Sequence, residues 1–296
     1  MPKSVTEFSA HDWRRLRPLT QSVKTIRYRL IDRNYRRRQP RGGDIAAVAR
    51  SIRGRKVLVT IAFADPVLIG WQTRLVRHYV PHAFHVVLDN SSTDADAEQI
   101  RRAAGPTAYL RAPQNPWSGH AASRSHGLAL NWAWENLIRA GEPEAFGFLD
   151  HDIFPTAADD PFAPLVCQDL YGVVRTVPPR WFLWAGFCMF RFAAVAQKPL
   201  DFGQDWFIGL DTGGGNWRPL YGAVNRAALQ EAPTRLFPFR PGLPAEQGPL
   251  QWCGAWIHEV GLMGDPQVLG ERREVVARIL EPYLLAADAS HTVHAA

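Results

Sequence analysis

Cysteine is scarce: Cys167, Cys188 and Cys253 are the only three in 296 residues. The number is odd and no two form a C-x-x-C pair, which argues against a disulfide framework and fits a reducing compartment. Long hydrophobic runs are missing too. None approaches the ~20 residues that span a bilayer, and the N-terminus lacks the apolar stretch of a secretion signal. The chain therefore reads as cytoplasmic. It also has no G-x-G-x-x-G, no zinc-ligand spacing and no Ser, His and Asp in a recognisable order, so dinucleotide-binding, structural-zinc and triad-hydrolase readings fall away. What remains is an ordinary folded composition, 46% hydrophobic and 21% charged, and enough chain for one large α/β domain with appendages.

Acid is almost absent from one stretch. Between Arg14 and Arg41 stand eleven Lys and Arg against a single acid, Asp32. That segment carries +10, so the rest of the chain is at −4 within a total of +6. Leu16, Leu19, Val23, Ile26 and Leu30 recur there at spacings of three and four, which predicts a helix with one apolar stripe. Pro40, Gly42 and Gly43 end it. Anionic lipid, nucleic acid or an acidic protein surface would each suit such an arm. The stripe favours the inner face of a membrane, and the few aromatics count against nucleic acid, which is not expected. The competing reading is that the stripe packs on the chain's own body. Residues 1–50 are taken as this basic arm.

The pattern then alternates. Lys56–Phe63 is an apolar, β-branched run, as a buried strand would be. Asp65 and Pro66 start a helix reaching Tyr79. His85–Asp89 is a second strand, and a polar turn caps a helix to Ala104. Ala108–Arg111 is a short strand, Ser123–Arg139 a helix, and Phe146–Leu149 a buried strand ending in Asp150-His151-Asp152. Alternation of this kind predicts a mainly parallel, Rossmann-like sheet with helices on both faces. After Pro155 only Tyr171–Arg175, Gly186–Phe192 and a closing helix over Glu271–Leu285 are predicted. The main domain is placed at 51–265, split at 156, with a helix and tail at 266–296.

Ligands of open α/β sheets bind beyond the carboxyl ends of the strands. Three such ends are polar here: Ala64-Asp65, Asp89-Asn90-Ser91 and Asp150-His151-Asp152. Two acids one residue apart after a buried strand can share a divalent ion, and oxygen ligands suit Mg2+ or Mn2+. The alternative is that they cap a turn. His151, between them, points to the other side and is expected to pack or to support the ligands from behind, not to bind the ion itself.

The order Val59-Thr60-Ile61-Ala62, Leu88 to Asp94, Ser123-Arg124-Ser125-His126-Gly127, then Leu149-Asp150-His151-Asp152 resembles family-2-type glycosyltransferases of the GT-A fold. The resemblance covers about residues 56 to 156 and extends more loosely to about 265. It implies an inverting, metal-dependent transfer from a nucleotide-sugar, UDP-linked, to a saccharide, lipid-linked or other hydroxyl acceptor. It implies that Asp89 contacts the base, that Thr60 and Ala62 line its pocket, and that Arg124 lies near the donor phosphates. Trp184 to Arg191, with Gly186, is similar to the family's glycine strand beside the donor. Asp211, or else Asp205, would be the general base. His258 would be a third metal ligand with Asp150 and Asp152. Ser125 and His126 depart from the family pattern, and there is no clean Glu-Asp pair. Trp181, Phe182, Trp184, Trp206, Phe207 and Trp217 are candidates to stack on sugar rings or to pack the core. A sugar-nucleotide nucleotidyltransferase is the alternative enzyme, but it would need a glycine-rich basic loop where Ala62 to Pro66 stands. A non-catalytic membrane- or nucleic-acid-binding module would leave the polar strand ends without a role.

Overall fold

The computed structural model describes residues 8–205, 208–240, 242, 249–260 and 266–293. Its elements run α1 (Ala10–Arg14), α2 (Arg17–Arg36), α3 (Ile45–Ile52), β1 (Lys56–Ala62), α4 (Pro66–Tyr79), β2 (Phe84–Asp89), α5 (Asp94–Ala104), β3 (Ala108–Arg111) and α6 (Ala122–Ala133). A π turn (Trp134–Ile138) joins α6 to α7 (Arg139–Gly141). There follow β4 (Ala145–Asp150), β5 (Ile153–Pro155), β6 (Leu170–Val177), β7 (Arg180–Arg191), α8 (Phe192–Val195), β8 (Thr234–Pro238), β9 (Pro249–Cys253), β10 (Trp256–Glu259) and α9 (Pro266–Val293).

The expected α/β class is the one observed. A six-stranded sheet has the order β3-β2-β1-β4-β7-β6. β3, β2, β1 and β4 are mutually parallel, and β7 joins antiparallel. Side chains alternate across β1, so the run can be apolar throughout only if both faces are covered. They are. Val57, Val59 and Ile61 face Leu128, Ala129 and Trp132 of α6, whereas Leu58 and Ala62 lie on the side of α4 and α5. The helix starts are set by the predicted caps: Asp65 Oδ1 accepts from the Leu68 amide, and Thr93 Oγ1 from the Asp96 amide.

A second, antiparallel sheet, β5-β10-β9-β8, was not visible in the sequence. It packs on α4 and α9 through Leu68, Leu75, Phe154, Ile257, Val276 and Leu280. The closing helix is longer than predicted, reaching from Pro266 to Val293. β7 starts at Arg180, six residues before the predicted strand, because Pro178 and Pro179 form a hairpin turn where the sequence suggests a break.

The inner face of α2 is docked. Tyr28, Ile31 and the buried Tyr35 join the main core. Arg124 donates to Asp32 at 2.5 Å, Trp117 Nε1 donates to the other Asp32 oxygen at 2.9 Å, and the guanidinium lies over the rings of Tyr28 and Trp117. The competing reading, a stripe packed on the chain's own body, is not what the fold shows: Leu16, Leu19, Val23, Ile26 and Leu30 are 55–66% exposed. No described helix is long and apolar enough to cross a membrane. The three cysteines are unpaired.

Candidate metal and donor site

The site forms where two sheets meet at the end of β4. β4 leads straight into β5; Asp150 ends β4, and Asp152 lies in the turn between the two strands. Gln72, buried on α4, holds that turn: its Nε2 donates to the carbonyls of Asp150 (2.7 Å) and Ile153 (2.8 Å). Its Oε1 accepts from Thr60 Oγ1 at 2.7 Å. The Thr60 proton is thereby used, so His85 Nε2, 2.9 Å from Thr60 Oγ1, is the donor there. Burial pushes His85 down to about 3, which keeps it neutral for that task. A polar residue on the apolar face of α4 was the available signal for Gln72, and the sequence reading passed over it.

His258 reaches this turn by strand pairing. β10 runs antiparallel to β5 with His258 opposite Ile153, and the Glu259 amide donates to the Asp152 carbonyl at 3.0 Å. One ligand atom each from Asp150, Asp152 and His258 lies within 4.8 Å of the others. His258 Nε2 is 3.6 Å from Asp152 Oδ1. That Oδ1 is buried and has no hydrogen-bond partner. A buried carboxylate oxygen without a donor calls for something positive. Two carboxylates and an imidazole form a donor set that fits Mn2+ or Mg2+ with positions to spare.

The electrostatics agree. Burial raises Asp150 above the ordinary carboxylate value, His126 opposes this, and the Asp152 charge adds to it. Asp152 is also pushed up by burial, but His258 and His151 bring it below the ordinary value overall. One acid of the pair is thus held charged while its neighbour resists a second negative charge, as two close carboxylates must without a cation between them.

β7 completes the wall. Leu149 pairs with Phe187, which brings Gly186 beside Asp150. A Cβ on Gly186 would lie 2.5 Å from Asp150 Oδ2 and would also meet the Trp184 ring. Gly186→Val should therefore displace the carboxylate and weaken divalent-ion binding at this cluster by roughly tenfold or more, since misplaced ligands lose metal affinity. Calorimetric titration checks this, and wild-type affinity would show that the site has room. The half-buried Trp184 lies over the His258 ring, with centroids 4.5 Å apart.

The other expected residues are distributed around this centre. His126, to which the sequence reading gave no role, has Nε2 3.1 Å from Asp150 Oδ1. His151 is outside the cluster and accepts from the Phe63 amide. Asp89 is buried, with Oδ1 accepting from the Ser91 amide and Oδ2 from the Tyr109 hydroxyl, both at 2.8 Å. Thr60 and Ala62 have wholly buried side chains. Arg124 faces the opposite side of α6 from His126, where Asp32 engages it. Asp211 is exposed, and its Oδ1 accepts from Gln204 Nε2 and the Thr212 amide. Thr212 Oγ1 donates to the Ser123 carbonyl at the start of α6, and Gly213 backs onto Leu183 and Ala185 of β7. The Asp211 turn thus abuts the two elements that flank Asp150. Asp205 pairs through its backbone with Leu210 and lines a cavity against α2. Trp181 and Phe182 are buried and serve the core, Trp217 is half-buried, and Trp206 and Phe207 lie outside the described residues.

No protein-family model matches the chain, and no curated protein sequence matches it. Solved structures similar to it include the mannosyltransferase PcManGT of Pyrobaculum calidifontis in complex with GDP-Man and Mn2+, at 16% identity and a TM-score of 0.39, covering 69% of this chain and 61% of that one. The galactosyltransferase LgtC in complex with donor and acceptor sugar analogues is similar at 13% identity and a TM-score of 0.35, over 57% of this chain and 66% of that one. TarS of S. aureus is similar at 16% identity and 0.32, over 50% and 30%. The chain spans less than two thirds of the length of each.

Proposed function

We propose that this chain is a glycosyltransferase that moves a sugar from a nucleoside-diphosphate sugar to an acceptor hydroxyl, with Mn2+ or Mg2+ held by Asp150, Asp152 and His258. The observation that carries the reading is the approach of one ligand atom from each of these three side chains to within 4.8 Å of the others at the carboxyl end of the central strands, with Asp152 Oδ1 buried and accepting no hydrogen bond. That is where open α/β sheets bind phosphates and nucleotides. The order of polar strand ends in the sequence agrees with it.

When bound, the ion would offset the charge that grows on the departing diphosphate. The chain's own residues do the rest. His258 is steadied by Gln251, whose Oε1 lies 3.3 Å from Nδ1, so Nε2 is directed at the carboxylates. In this reading Asp89, at the end of β2, would belong to the pocket of the nucleotide's base. UDP is the first nucleotide to test. Trp184 offers a flat face beside the ligands for a sugar ring.

In the transfer, the acceptor oxygen bonds to the anomeric carbon as the bond from that carbon to the diphosphate oxygen breaks. Asp211 takes the hydroxyl proton. A single displacement of this kind inverts the anomeric centre. Asp211→Asn should keep donor affinity and lose about 10²-fold in turnover, as removal of a general base does. Normal turnover would make Asp211 only the cap of its turn and pass the role to Asp205.

A thermal-shift screen of nucleotide-sugars with and without Mn2+ tests the reading as a whole. A rise in melting temperature that needs both the metal and the nucleotide-sugar supports it. Stabilisation by neither rejects it.

A further inference from the structure

Helix α2 has two apolar faces and only one of them is covered. Tyr28, Ile31 and Tyr35 face the body. On the far side Leu16, Leu19, Val23, Ile26 and Leu30 stand 55–66% exposed, and Trp13 on the preceding helix is 48% exposed. At 3.6 residues per turn Leu19, Val23, Ile26 and Leu30 fall within about a quarter of the circumference, and Leu16 stands at the start of the helix. On the same wheel Arg27 borders the stripe on one side and Arg33 on the other, and Arg15 stands in the link before the helix. These three arginines, and Lys24, are exposed. The only acid among them, Asp32, is turned inward to Arg124 and Trp117.

We propose that α2 is a docking helix for an anionic lipid surface, with the stripe sunk into the acyl boundary and the flanking arginines on the headgroups. Charge chooses between the occupants. A second copy would bring two +10 segments face to face, and like charges in contact oppose association. A nucleic acid would satisfy the arginines but leave the aliphatic stripe in water. An anionic bilayer takes both, since interfacial helices combine an apolar face with Lys and Arg at its borders, and tryptophan settles at the same depth.

The docking would also place the rest of the molecule. The inner face of α2 contributes Tyr28, Arg29 and Asp32 to a cavity of about 470 Å³ whose opposite wall carries Gln204, Asp205 and Arg218. Gln204 holds Asp211. A helix that meets lipid with one face and lines this cavity with the other sets the cavity at the edge of the bilayer. The inference concerns the helix and stands apart from the proposed chemistry.

Co-sedimentation of the full-length protein with vesicles tests it. Binding is expected to phosphatidylcholine vesicles containing roughly 30% phosphatidylglycerol at low salt, not to phosphatidylcholine alone, and to weaken at least about tenfold in roughly 0.5 M salt. Val23→Asp with Ile26→Asp, both on the exposed stripe, should reduce binding by about tenfold or more with an unchanged melting temperature. Lys24→Glu with Arg27→Glu keeps the stripe and should reduce binding through charge alone. The proposal is overturned if the wild type does not bind the anionic vesicles at low salt, or if both variants bind as it does. It is equally overturned if the wild type forms a dimer without lipid that the stripe variant abolishes, because the stripe is then covered by a second copy.

Discussion

Asp152→Asn should give a folded protein whose melting temperature no longer responds to Mn2+ with a nucleoside diphosphate, and whose turnover falls by about 10³-fold or more. The substitution keeps shape and volume, so the β4–β5 turn, held by Gln72, stays in place. What changes is charge. Asp152 is the member of the pair kept below the ordinary carboxylate value by His258 and His151, and its Oδ1 has no donor of its own. An amide there presents one weaker oxygen and an NH2 that repels a cation. Metal catalysis supplies several kcal/mol of charge stabilisation, and about 4 kcal/mol corresponds to roughly 10³ in rate. Titration calorimetry with Mn2+ and a turnover assay give the two readouts. Wild-type nucleotide affinity in Mn2+ would remove the metal from Asp152 and with it the centre of the proposed function.

The half of the molecule that carries this pair was readable because its signals are local. β1 to β4 are apolar runs that stop at polar residues, and α4 and α5 begin at side-chain caps. Asp65 caps α4 three residues before the buried Leu68, and the sequence alone placed that helix at its observed bounds. β5, β8, β9 and β10 are three to five residues long. Segments so short have no periodicity to read, and their pairing is set by tertiary packing. His258 was nevertheless found by its resemblance to a late family histidine. Only the register of β10 on β5 explains why it reaches Asp152 across more than a hundred residues.

Arg124 teaches the opposite lesson. Its motif suggested a phosphate contact, whereas Asp32 engages it in the structure. The clue was in the composition. Asp32 is the one acid among eleven cations in its segment, and its carboxylate turns to Trp117 and Arg124 of the body. His126 was missed for a simpler reason. It replaces a family residue and so carried no expectation, yet two positions along a helix is roughly 200° around it, which turns His126 toward Asp150 as Arg124 turns away.

Arg273→Met should be the most destabilising single change outside the apolar core. Glu259 ends β10 wholly buried, one residue after His258. Burial raises its carboxyl above the ordinary value, opposed chiefly by Arg273. Arg273 Nε donates to Glu259 Oε2 at 2.8 Å and Nη1 donates to Asp65 Oδ2 at 2.8 Å, so a single guanidinium ties α9 to β10 and to the cap of α4. Methionine keeps the apolar stem and deletes the charge. Glu259 is then left with Arg272 at 3.6 Å, outside hydrogen-bonding distance. Breaking a buried pair from one side costs about 3–5 kcal/mol, and the remaining Arg272 puts the expectation near the lower end, about 3 kcal/mol. For a chain of this size that is a fall in melting temperature of roughly 6–12 °C. The Glu259→Gln, Arg273→Met double variant should recover part of the loss, because it also removes the stranded charge, whereas two independent losses would add. Since the Glu259 amide donates to the Asp152 carbonyl, the single variant should weaken Mn2+-dependent nucleotide binding as well. Thermal unfolding of the four proteins decides the matter: a single variant within a degree or so of wild type, or a double variant worse than it, would show that the buried charges are not coupled in this way.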